Sequence, residues 1–358
     1  MFCTQPFNHV DVIVENDKVM LQPCCIWHGK RFSIDEWKQN IDSLQDVLAK
    51  SYHYPGCKIC YDTDKNNARS RRVSQNQFSK DNNLSTKKLQ SLGIRYGTLC
   101  NSKCMICGPD RSSSWVPDAE KLGIEIEETH RFKKKLLPGV DVFFDNFDLD
   151  DLRFAEFHGG EPLMQSYPAE FLRKIKKLDQ LVVKFNTNLT VLPSDELNTL
   201  LKKCKRVDFF LSVDDTGDRY EILRFPGKWD TFLRNMSIIK SQNYRIMACN
   251  VLSSLNIFYC VDFYKWATKN FGTEVHSQFV TDNEILDISY LPRHAKDIVL
   301  EKIQNYKGKI FDLIRTKLAI EKDDRSGGLV KYIIDLDNIR KTNYPETFKE
   351  WWTILNTK

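Results

Sequence analysis

Short apolar runs alternate with longer amphipathic stretches along most of the chain after residue 90. The short runs are rich in β-branched and aromatic residues, which favour strands, and the longer stretches carry apolar residues at helical spacing. Strands are predicted at residues 93–98, 152–157, 181–186, 207–213, 244–252 and 276–280. Helices are predicted between them at residues 119–136, 169–178, 194–204, 229–241 and 258–270. This alternation predicts an α/β fold built from parallel βα units.

Six βα units are fewer than the eight that close a full barrel. The first choice of architecture is therefore an open, partial (β/α)6 TIM-like barrel, and a doubly wound sheet is the second choice. The predicted domains are an N-terminal cysteine-rich module at residues 1–88, the partial barrel at 89–290 and a mostly helical C-terminal extension at 291–358. The polar stretch at 62–88 is predicted to be a linker or surface loop.

The N-terminal module has its own pattern. Residues 9–14 and 18–21 predict a hairpin, because the polar residues between them are suited to reversing the chain. A helix is predicted at residues 33–50, where Ser33 and Glu36 have the spacing of a capping box.

Composition excludes several classes of protein. The 358 residues are 41% hydrophobic, so the chain can bury a core and is not a disordered or low-complexity protein. The net charge of +5, from 53 basic and 48 acidic residues, does not indicate a dedicated DNA binder. No apolar run approaches bilayer length, so no contact with a membrane is expected. The first residues have neither a charged lead nor an apolar signal core, which predicts a cytoplasmic protein whose eleven cysteines stay reduced.

Three cysteines, Cys100, Cys104 and Cys107, lie within eight residues directly after the first predicted strand of the barrel. Three thiolates can bind three irons of a cubane iron–sulfur cluster and leave the fourth iron open to a substrate or cofactor. Structural zinc is the alternative. Zinc usually takes a fourth Cys or His nearby, and the nearest downstream histidine, His130, lies far along the chain.

Polar or glycine-rich clusters follow the next four predicted strands. They are Gly-Gly-Glu-Pro at 159–162, Asn-Thr-Asn at 186–188, Ser-Val-Asp-Asp at 212–215 and the polar segment 250–256. In barrel-like folds, loops at the carboxyl ends of the strands hold the ligands. A single cluster of this kind is usually an ordinary turn, but five successive strand ends, counting the cysteines, predict a ligand site at one rim.

The cysteine spacing and the Gly159-Gly160-Glu161-Pro162 motif resemble those of the radical S-adenosylmethionine (SAM) enzymes, and the resemblance extends over most of the chain. It implies a [4Fe-4S] cluster at the three cysteines, whose open iron binds SAM. One-electron cleavage of SAM would give methionine and a 5′-deoxyadenosyl radical, which abstracts hydrogen from an unreactive carbon of the substrate.

The resemblance also implies the residues that contact SAM. Glycine lets the backbone approach the methionine part of SAM, because it carries no side chain to block a ligand. The planar guanidinium of Arg224 would meet the carboxylate of SAM, with a solvated surface residue as the alternative. Ile106 stands where many members have an aromatic residue near the adenine. The implied SAM contacts are Ile106, Gly159, Gly160, Glu161, Asn188, Ser212, Asp214 and Arg224.

A second group of cysteines resembles the ligands of a twitch or SPASM-type auxiliary cluster module: Cys3, Cys24, Cys57 and Cys60. The resemblance implies a second, auxiliary [4Fe-4S] cluster at these four thiolates. Cys25 is the alternative to Cys24, which is preferred because it directly follows the hairpin strand and Pro23. Structural zinc on the same thiolates is the alternative to the cluster.

The implied substrate is a peptide or protein first, a sugar-like small molecule second and a nucleotide or RNA third, because the balanced charge offers no obvious groove for a polyanion. The implied partner is an electron donor such as a flavodoxin or ferredoxin. Two functions from other classes stay open: a non-catalytic, zinc-binding interaction scaffold and a plain electron carrier.

Overall fold

A computed structural model describes residues 2–15, 18–50, 54–65, 70–131, 137–280 and 283–356. By its contacts the chain divides into two compact units. The first unit comprises Met1–Leu99, Thr129–Asn186 and Pro193–Asp208, and the second comprises Cys100–Glu128, Thr187–Leu192 and Phe209–Lys358. No helix formed by the described residues is both long and apolar enough to traverse a lipid bilayer. The predicted domain boundaries near residues 88 and 290 stay a prediction.

The strands are β1 (His9–Glu15), β2 (Lys18–Gln22), β3 (Ser91–Tyr96), β4 (Phe154–His158), β5 (Val182–Thr187), β6 (Arg206–Ser212), β7 (Arg245–Leu252) and β8 (Val275–Phe279). They form an eight-stranded sheet in the order β2-β1-β3-β4-β5-β6-β7-β8. The pairs β1–β3, β3–β4, β4–β5 and β7–β8 are parallel, and β2 runs antiparallel to β1. Because β3 to β8 are neighbours in chain order, the strand order is that of a partial (β/α)6 barrel. The predicted α/β fold class is confirmed.

Helices connect the strands. Before β3 the chain forms α1 (Gln5–Asn8), α2 (Ile34–Lys50), α3 (Lys58–Lys65) and α4 (Arg71–Asp81). From β3 to β8 it forms α5 (Val116–Lys121), α6 (Asp141–Asn146), α7 (Tyr167–Lys174), α8 (Asp195–Leu201), α9 (Gly217–Leu223), α10 (Trp229–Ser241) and α11 (Cys260–Phe271). The C-terminal extension forms α12 (Arg293–Ile303), α13 (Lys309–Leu318), α14 (Ser326–Arg340), α15 (Tyr344–Thr347) and α16 (Lys349–Asn356). The predicted helical extension is confirmed.

The register of the first unit places a polar row across four strands. Asp11 pairs with Gly93, Gly93 with Glu156, and Glu156 with Lys184. Successive side chains of a strand point to opposite faces, so this row lies on one face of the sheet. The row one position earlier consists of buried apolar residues and belongs to the opposite face: Val10, Leu92, Ala155 and Val183. One face is therefore core, and the other carries charge.

The core of the second unit includes the C-terminal extension. Tyr344 and Phe348 are fully buried and stack with their ring centroids 4.1 Å apart. The indole N–H of Trp351 donates to the carbonyl of Ser254 at 2.5 Å. Buried aromatic side chains with satisfied polar atoms contribute strongly to a core, so α15 and α16 belong to the folded unit.

The capping box at the start of α2 is confirmed. The backbone N–H of Ser33 donates to Glu36 Oε2 at 2.9 Å, and the N–H of Glu36 donates to Ser33 Oγ at 3.3 Å. The predicted hairpin is also confirmed as β1 and β2, while its turn residues Asn16 and Asp17 lie outside the described residues.

Two element predictions are wrong. The stretch 62–88 is not a linker throughout, because it holds the end of α3 and all of α4, which Ser70 caps by accepting from the N–H of Val73 at 3.3 Å. The helix predicted at 119–136 ends at Lys121, because Gly123 follows with a φ of +67°. Residues 132–136 lie outside the described residues.

Candidate functional site

The cysteine loop, residues 100–107, is an irregular segment of the second unit that backbone hydrogen bonds attach to the end of α9. The N–H of Lys103 donates to the carbonyl of Phe225 at 2.6 Å. The N–H of Met105 donates to the carbonyl of Leu223 at 2.8 Å. These two hydrogen bonds, donated by residues two positions apart in the loop, fix the path of its backbone.

Aromatic side chains hold the carbonyl groups of the same loop. The indole N–H of Trp115 donates to the carbonyl of Cys104 at 2.9 Å, and the hydroxyl of Tyr332 donates to the carbonyl of Met105 at 2.6 Å. Trp115 belongs to the segment before α5, and Tyr332 lies on α14. These side chains fix the carbonyl groups of Cys104 and Met105 in the loop.

Two polar side chains are directed at sulfur atoms of the loop. Asn188 Nδ2 lies 3.8 Å from Cys100 Sγ, and Arg224 Nη1 lies 3.6 Å from Cys104 Sγ. A hydrogen bond from Cys107, followed by the charge of Arg224, holds the pKa of Cys104 below its ordinary value although burial opposes the shift. The same hydrogen bond, together with burial, raises the pKa of Cys107. Donors and a cation beside sulfur favour the thiolate, which is the form that binds metal.

Asn188 also connects the loop to the end of β5. Its amide N–H donates to Asn101 Oδ1 and to Ser102 Oγ, both at 3.0 Å, and its Oδ1 accepts from the N–H of Thr190 at 2.9 Å. Sequence reasoning selected Asn188 but missed Asn101 and Ser102. Their position between the first two cysteines is the only signal in the chain that could have identified them.

Asp214 and Arg224, predicted separately as SAM contacts, form an ion pair with each other. Arg224 Nε lies 2.8 Å from Asp214 Oδ2, and both side chains are buried. Asp214 Oδ1 also accepts from the N–H of Val251 at 2.9 Å. A buried charge needs a partner, so Asp214 fixes the guanidinium that reaches Cys104.

The remaining predicted residues of the second unit lie close in sequence to these groups. Ser212 is the last residue of β6 and is half-buried. Ile106 packs against the core of the unit. Asp215, which was not selected from the sequence, has its pKa raised to about 6 by burial even though Arg219 Nε lies 2.8 Å from its carboxylate.

The glycine turn of the first unit follows β4. Gly159 and Gly160 have φ values of +85° and +55°. A Cβ on Gly160 would lie 2.2 Å from the carbonyl oxygen of Leu99. The N–H of Glu161 donates to that same carbonyl at 2.7 Å, and its buried carboxylate accepts from the N–H of Leu163 at 3.1 Å. The turn thus requires glycine at both positions and lies against the residue that precedes the first cysteine.

The four cysteines predicted to bind an auxiliary cluster lie in the first unit. Burial raises the pKa of Cys57 to about 12, and the neighbouring Cys3 and Cys60 add to the shift. Burial likewise raises the pKa of Cys24, with smaller contributions that include Cys25 and Cys3. Mutual electrostatic effects of this kind require the thiols to be close together.

The side chains of both cysteine groups determine which metal centre each group could bind. Across the described ranges, no three Cys, His, Asp or Glu side chains converge on one point in the way that a single ion requires. A cubane cluster has one thiolate on each of its separate irons, so its ligands surround a larger volume. The donor sets consist of thiols, which is the ligand type that iron–sulfur clusters take, and they fit this group.

Comparison with known proteins gives remote likenesses. No family description and no curated protein matches the chain. Among solved structures it is similar to polyhistidine-tagged anSMEcpe with bound AdoMet, with 14% identity over 66% of this chain and 61% of that chain and a TM-score of 0.43. It is similar to Streptococcus suis SuiB bound to S-adenosylmethionine, with 14% identity over 93% and 70% and a TM-score of 0.38. It is similar to TYW1 with a lysine-pyruvate adduct bound, with 15% identity over 58% and 71% and a TM-score of 0.31. The chain spans about three fifths of the length of the first of these structures.

Proposed function

We propose that the chain is a radical SAM enzyme with a [4Fe-4S] cluster at Cys100, Cys104 and Cys107. The observation that carries the proposal is the pair of contacts at the sulfur atoms of the cysteine loop, from Asn188 to Cys100 and from Arg224 to Cys104. Hydrogen bonds and charges at ligand sulfurs orient a cluster and tune its potential. Three thiolates leave one iron open, which is the position that SAM requires.

When bound, the cluster and SAM together supply one-electron cleavage of SAM and hydrogen abstraction from an unreactive carbon. The residues of the chain bind and orient the cofactor. Asp214 holds Arg224 beside Cys104. In the proposed role, the planar guanidinium of Arg224 would bind the SAM carboxylate. The other proposed SAM contacts are Ile106, Gly159, Gly160, Glu161, Asn188 and Ser212.

A second cubane cluster at Cys3, Cys24, Cys57 and Cys60 is part of the proposal. The mutual influence of these thiols on their pKa values supports it. In this role the first unit would accept or donate an electron during turnover, and a flavodoxin or ferredoxin would supply the reducing electron. The proposed substrate is a peptide or protein, and the proposed location is the cytoplasm.

The test is anaerobic purification of the wild-type protein and the variant Cys104→Ala, followed by iron and sulfide analysis. With two cubanes, the wild-type protein should hold about eight irons per chain, and the variant should lose about half of them. Both proteins are then incubated with dithionite and SAM, and 5′-deoxyadenosine is measured. We expect formation in the wild-type protein and none in Cys104→Ala.

The matched control is Cys204→Ala, which removes a cysteine outside both groups and should keep iron and activity unchanged. The proposal is wrong if Cys104→Ala forms 5′-deoxyadenosine at the wild-type rate. Tightly bound zinc without sulfide would instead establish the zinc-binding scaffold, and iron and sulfide without SAM binding would establish an electron carrier.

A further inference from the structure

The charged face of the sheet in the first unit carries an acidic and a basic side chain on two neighbouring strands. Glu156 and Lys184 are directly opposite each other on β4 and β5, and both are half-buried. Asn186, two positions beyond Lys184 on the same face, donates to Glu156 Oε1 at 2.8 Å. The carboxylate is thus oriented, but a neutral amide does not neutralise its charge.

Helix α4 packs on this same face. The rings of Phe78 and Phe154 contact each other with centroids 4.7 Å apart, and Lys184 Nζ lies 4.6 Å from the Phe78 centroid. Arg71 precedes Phe78 by seven residues and therefore lies two turns along the same side of the helix. Glu156 follows Phe154 by two positions on the same face, and its charge acts on Arg71.

The charges of Arg71 and Glu156 act on each other. Burial raises the pKa of Glu156, but Lys184, His158 and Arg71, in that order, outweigh burial and hold the pKa below its ordinary value. Burial likewise opposes the charge of Arg71, but Cys25, Glu156, Asp11 and Cys24, in that order, favour it and raise its pKa. Both residues are therefore charged at neutral pH.

Arg71 and Glu156 nevertheless do not form an ion pair with each other. Among the described residues, neither Arg71 nor Glu156 takes part in an ion pair, and both are half-buried rather than sealed from solvent. Gln75 holds the guanidinium at 3.1 Å when its amide oxygen faces Arg71. The adjacent Arg72, by contrast, is paired with Asp64 at 2.5 Å. Arg71 and Glu156 are therefore two opposite charges, both accessible to solvent, that act on each other without direct contact, and a ligand with one charge of each sign can bridge them.

We propose that Arg71 and Glu156 form a binding site for a ligand that carries both a carboxylate and an ammonium group. The carboxylate binds the planar guanidinium of Arg71, which is suited to two parallel hydrogen bonds. The ammonium group binds Glu156, whose position the Asn186 amide fixes. Two sources have this chemistry: a free amino acid, and a peptide with neighbouring acidic and basic side chains. That this site holds the substrate rests on the proposed function, whereas binding itself does not.

The experiment is isothermal titration calorimetry on the full chain, purified anaerobically. The zwitterionic probes are L-alanine, L-tyrosine and L-lysine, and the peptide probe is the N-acetylated, C-amidated dipeptide of aspartate and lysine. Propionate and propylamine serve as probes with a single charge. We expect at least one zwitterionic or peptide probe to bind about tenfold more tightly than both single-charge probes, which corresponds to about 1.4 kcal/mol. Binding of the free amino acids identifies that source, and binding of the dipeptide alone identifies the peptide.

The variants assign each charge to its partner. Arg71→Gln should remove binding of propionate and leave that of propylamine, Glu156→Gln should do the reverse, and each should weaken the best probe about tenfold. Arg71→Lys and Glu156→Asp, which keep the charges, should retain more binding than the neutral variants, and this comparison excludes a general folding defect. Arg173→Gln and Glu196→Gln are matched controls, because these residues form an exposed ion pair at 2.7 Å in the same unit.

The inference is overturned if none of the probes binds, if single-charge probes bind as tightly as zwitterions, or if the neutral variants bind like the wild-type protein. Formation of 5′-deoxyadenosine without added substrate is measured on the same samples. Selective binding without any cleavage of SAM would reject the proposed function and leave the binding site. Cleavage without selective binding would reject the site alone.

Discussion

Gly160 combines two constraints that a sequence motif cannot separate. Its φ of +55° is unfavourable for residues with a side chain, and a Cβ would lie 2.2 Å from the Leu99 carbonyl. A backbone atom cannot move aside as the end of a flexible side chain can. The glycine is therefore required by the close approach of two backbone segments as well as by its conformation.

We predict that Gly160→Ala destabilises the first unit by about 2–4 kcal/mol. The positive φ accounts for about 1 kcal/mol and the contact with the carbonyl for about 1–3 kcal/mol. Because the turn itself must move, formation of 5′-deoxyadenosine should also fall at least tenfold. Urea unfolding and the SAM-cleavage assay measure the two effects.

The matched control is Gly123→Ala. Gly123 has a similar φ of +67°, but a Cβ there would meet no atom within 4 Å. It should show only the conformational cost and keep its activity. Equal effects of the two substitutions would mean that the contact with Leu99 has no role.

The sequence selected individual residues of the candidate site, but it did not indicate which of them contact each other. The spacing of the cysteines selected Cys104, and the resemblance to the radical SAM enzymes implied Asp214 and Arg224. It did not indicate that the aspartate and the arginine bind each other, because that contact depends on how the end of β6 meets the end of α9. A sequence pattern indicates which chemical group stands at a position, but it does not indicate which neighbouring residue that group contacts.

At the scale of the element, the capping box of α2 makes a local prediction. Ser33→Ala removes the side-chain acceptor for the N–H of Glu36 and should lower local stability at the start of α2 by about 1 kcal/mol. Hydrogen exchange of the amides in the first turn measures this. Ser43→Ala, at an exposed position inside the same helix, should have no destabilising effect, since alanine is the better helix former. Similar losses in both variants would contradict the capping role.

The same box predicts a dependence on pH. Hydrogen bonds from Lys30 and from the Ser33 backbone lower the pKa of Glu36 from 4.5 to about 2. A carboxyl group with a lowered pKa stabilises the folded state above its unfolded pKa. This contribution is therefore present above pH 4.5 and is lost as the pH falls towards 2. Glu36→Gln should remove that part of the acid dependence of hydrogen exchange in α2, and high salt should weaken it in the wild-type protein. An unchanged acid profile in the variant would refute the assignment.

Helix α4 shows why one element escaped prediction. Periodicity identifies a helix by an apolar stripe, but the stripe of α4 that packs on the sheet contains Arg71 and Gln75 as well as Phe78. A helix that presents polar groups to a polar sheet face has the composition of a loop. The strands, whose buried face is apolar, were predicted to within two residues at each end.

At the scale of the whole molecule, the order of strands and helices follows from the sequence, while the role of the C-terminal extension does not. The hydroxyl of Tyr332 reaches the carbonyl of Met105, which lies 227 positions earlier in the chain. The side chain of Arg340 likewise reaches Asp118, 222 positions earlier. Contacts at such separations leave no local pattern, so the extension was predicted as helical but not as the support of the cysteine loop.

This support carries the last prediction. The buried carboxylate of Asp118 accepts from Lys103 Nζ in the cysteine loop and from Arg340 Nε on α14, both at 2.8 Å. Asp118→Asn leaves the buried Arg340 without its counter-charge, which should cost about 3–5 kcal/mol. Because it also frees the side chain of Lys103, the loop should lose iron during purification. Tyr332→Phe removes one neutral hydrogen bond and should cost only about 1 kcal/mol.

The pH dependence gives an independent check on Asp118. Burial raises its pKa, but the hydrogen bonds from Lys103 and Arg340 outweigh burial and lower the pKa below 3.8. Its stabilising effect is therefore present above pH 3.8 and fades as the pH falls further, so wild type and Asp118→Asn should converge in strong acid. Asp110→Asn, at an aspartate whose side chain is 41% exposed, should behave like the wild-type protein in unfolding and iron content. If Asp118→Asn kept its iron and its stability at neutral pH, the C-terminal helices would have no part in holding the cysteine loop.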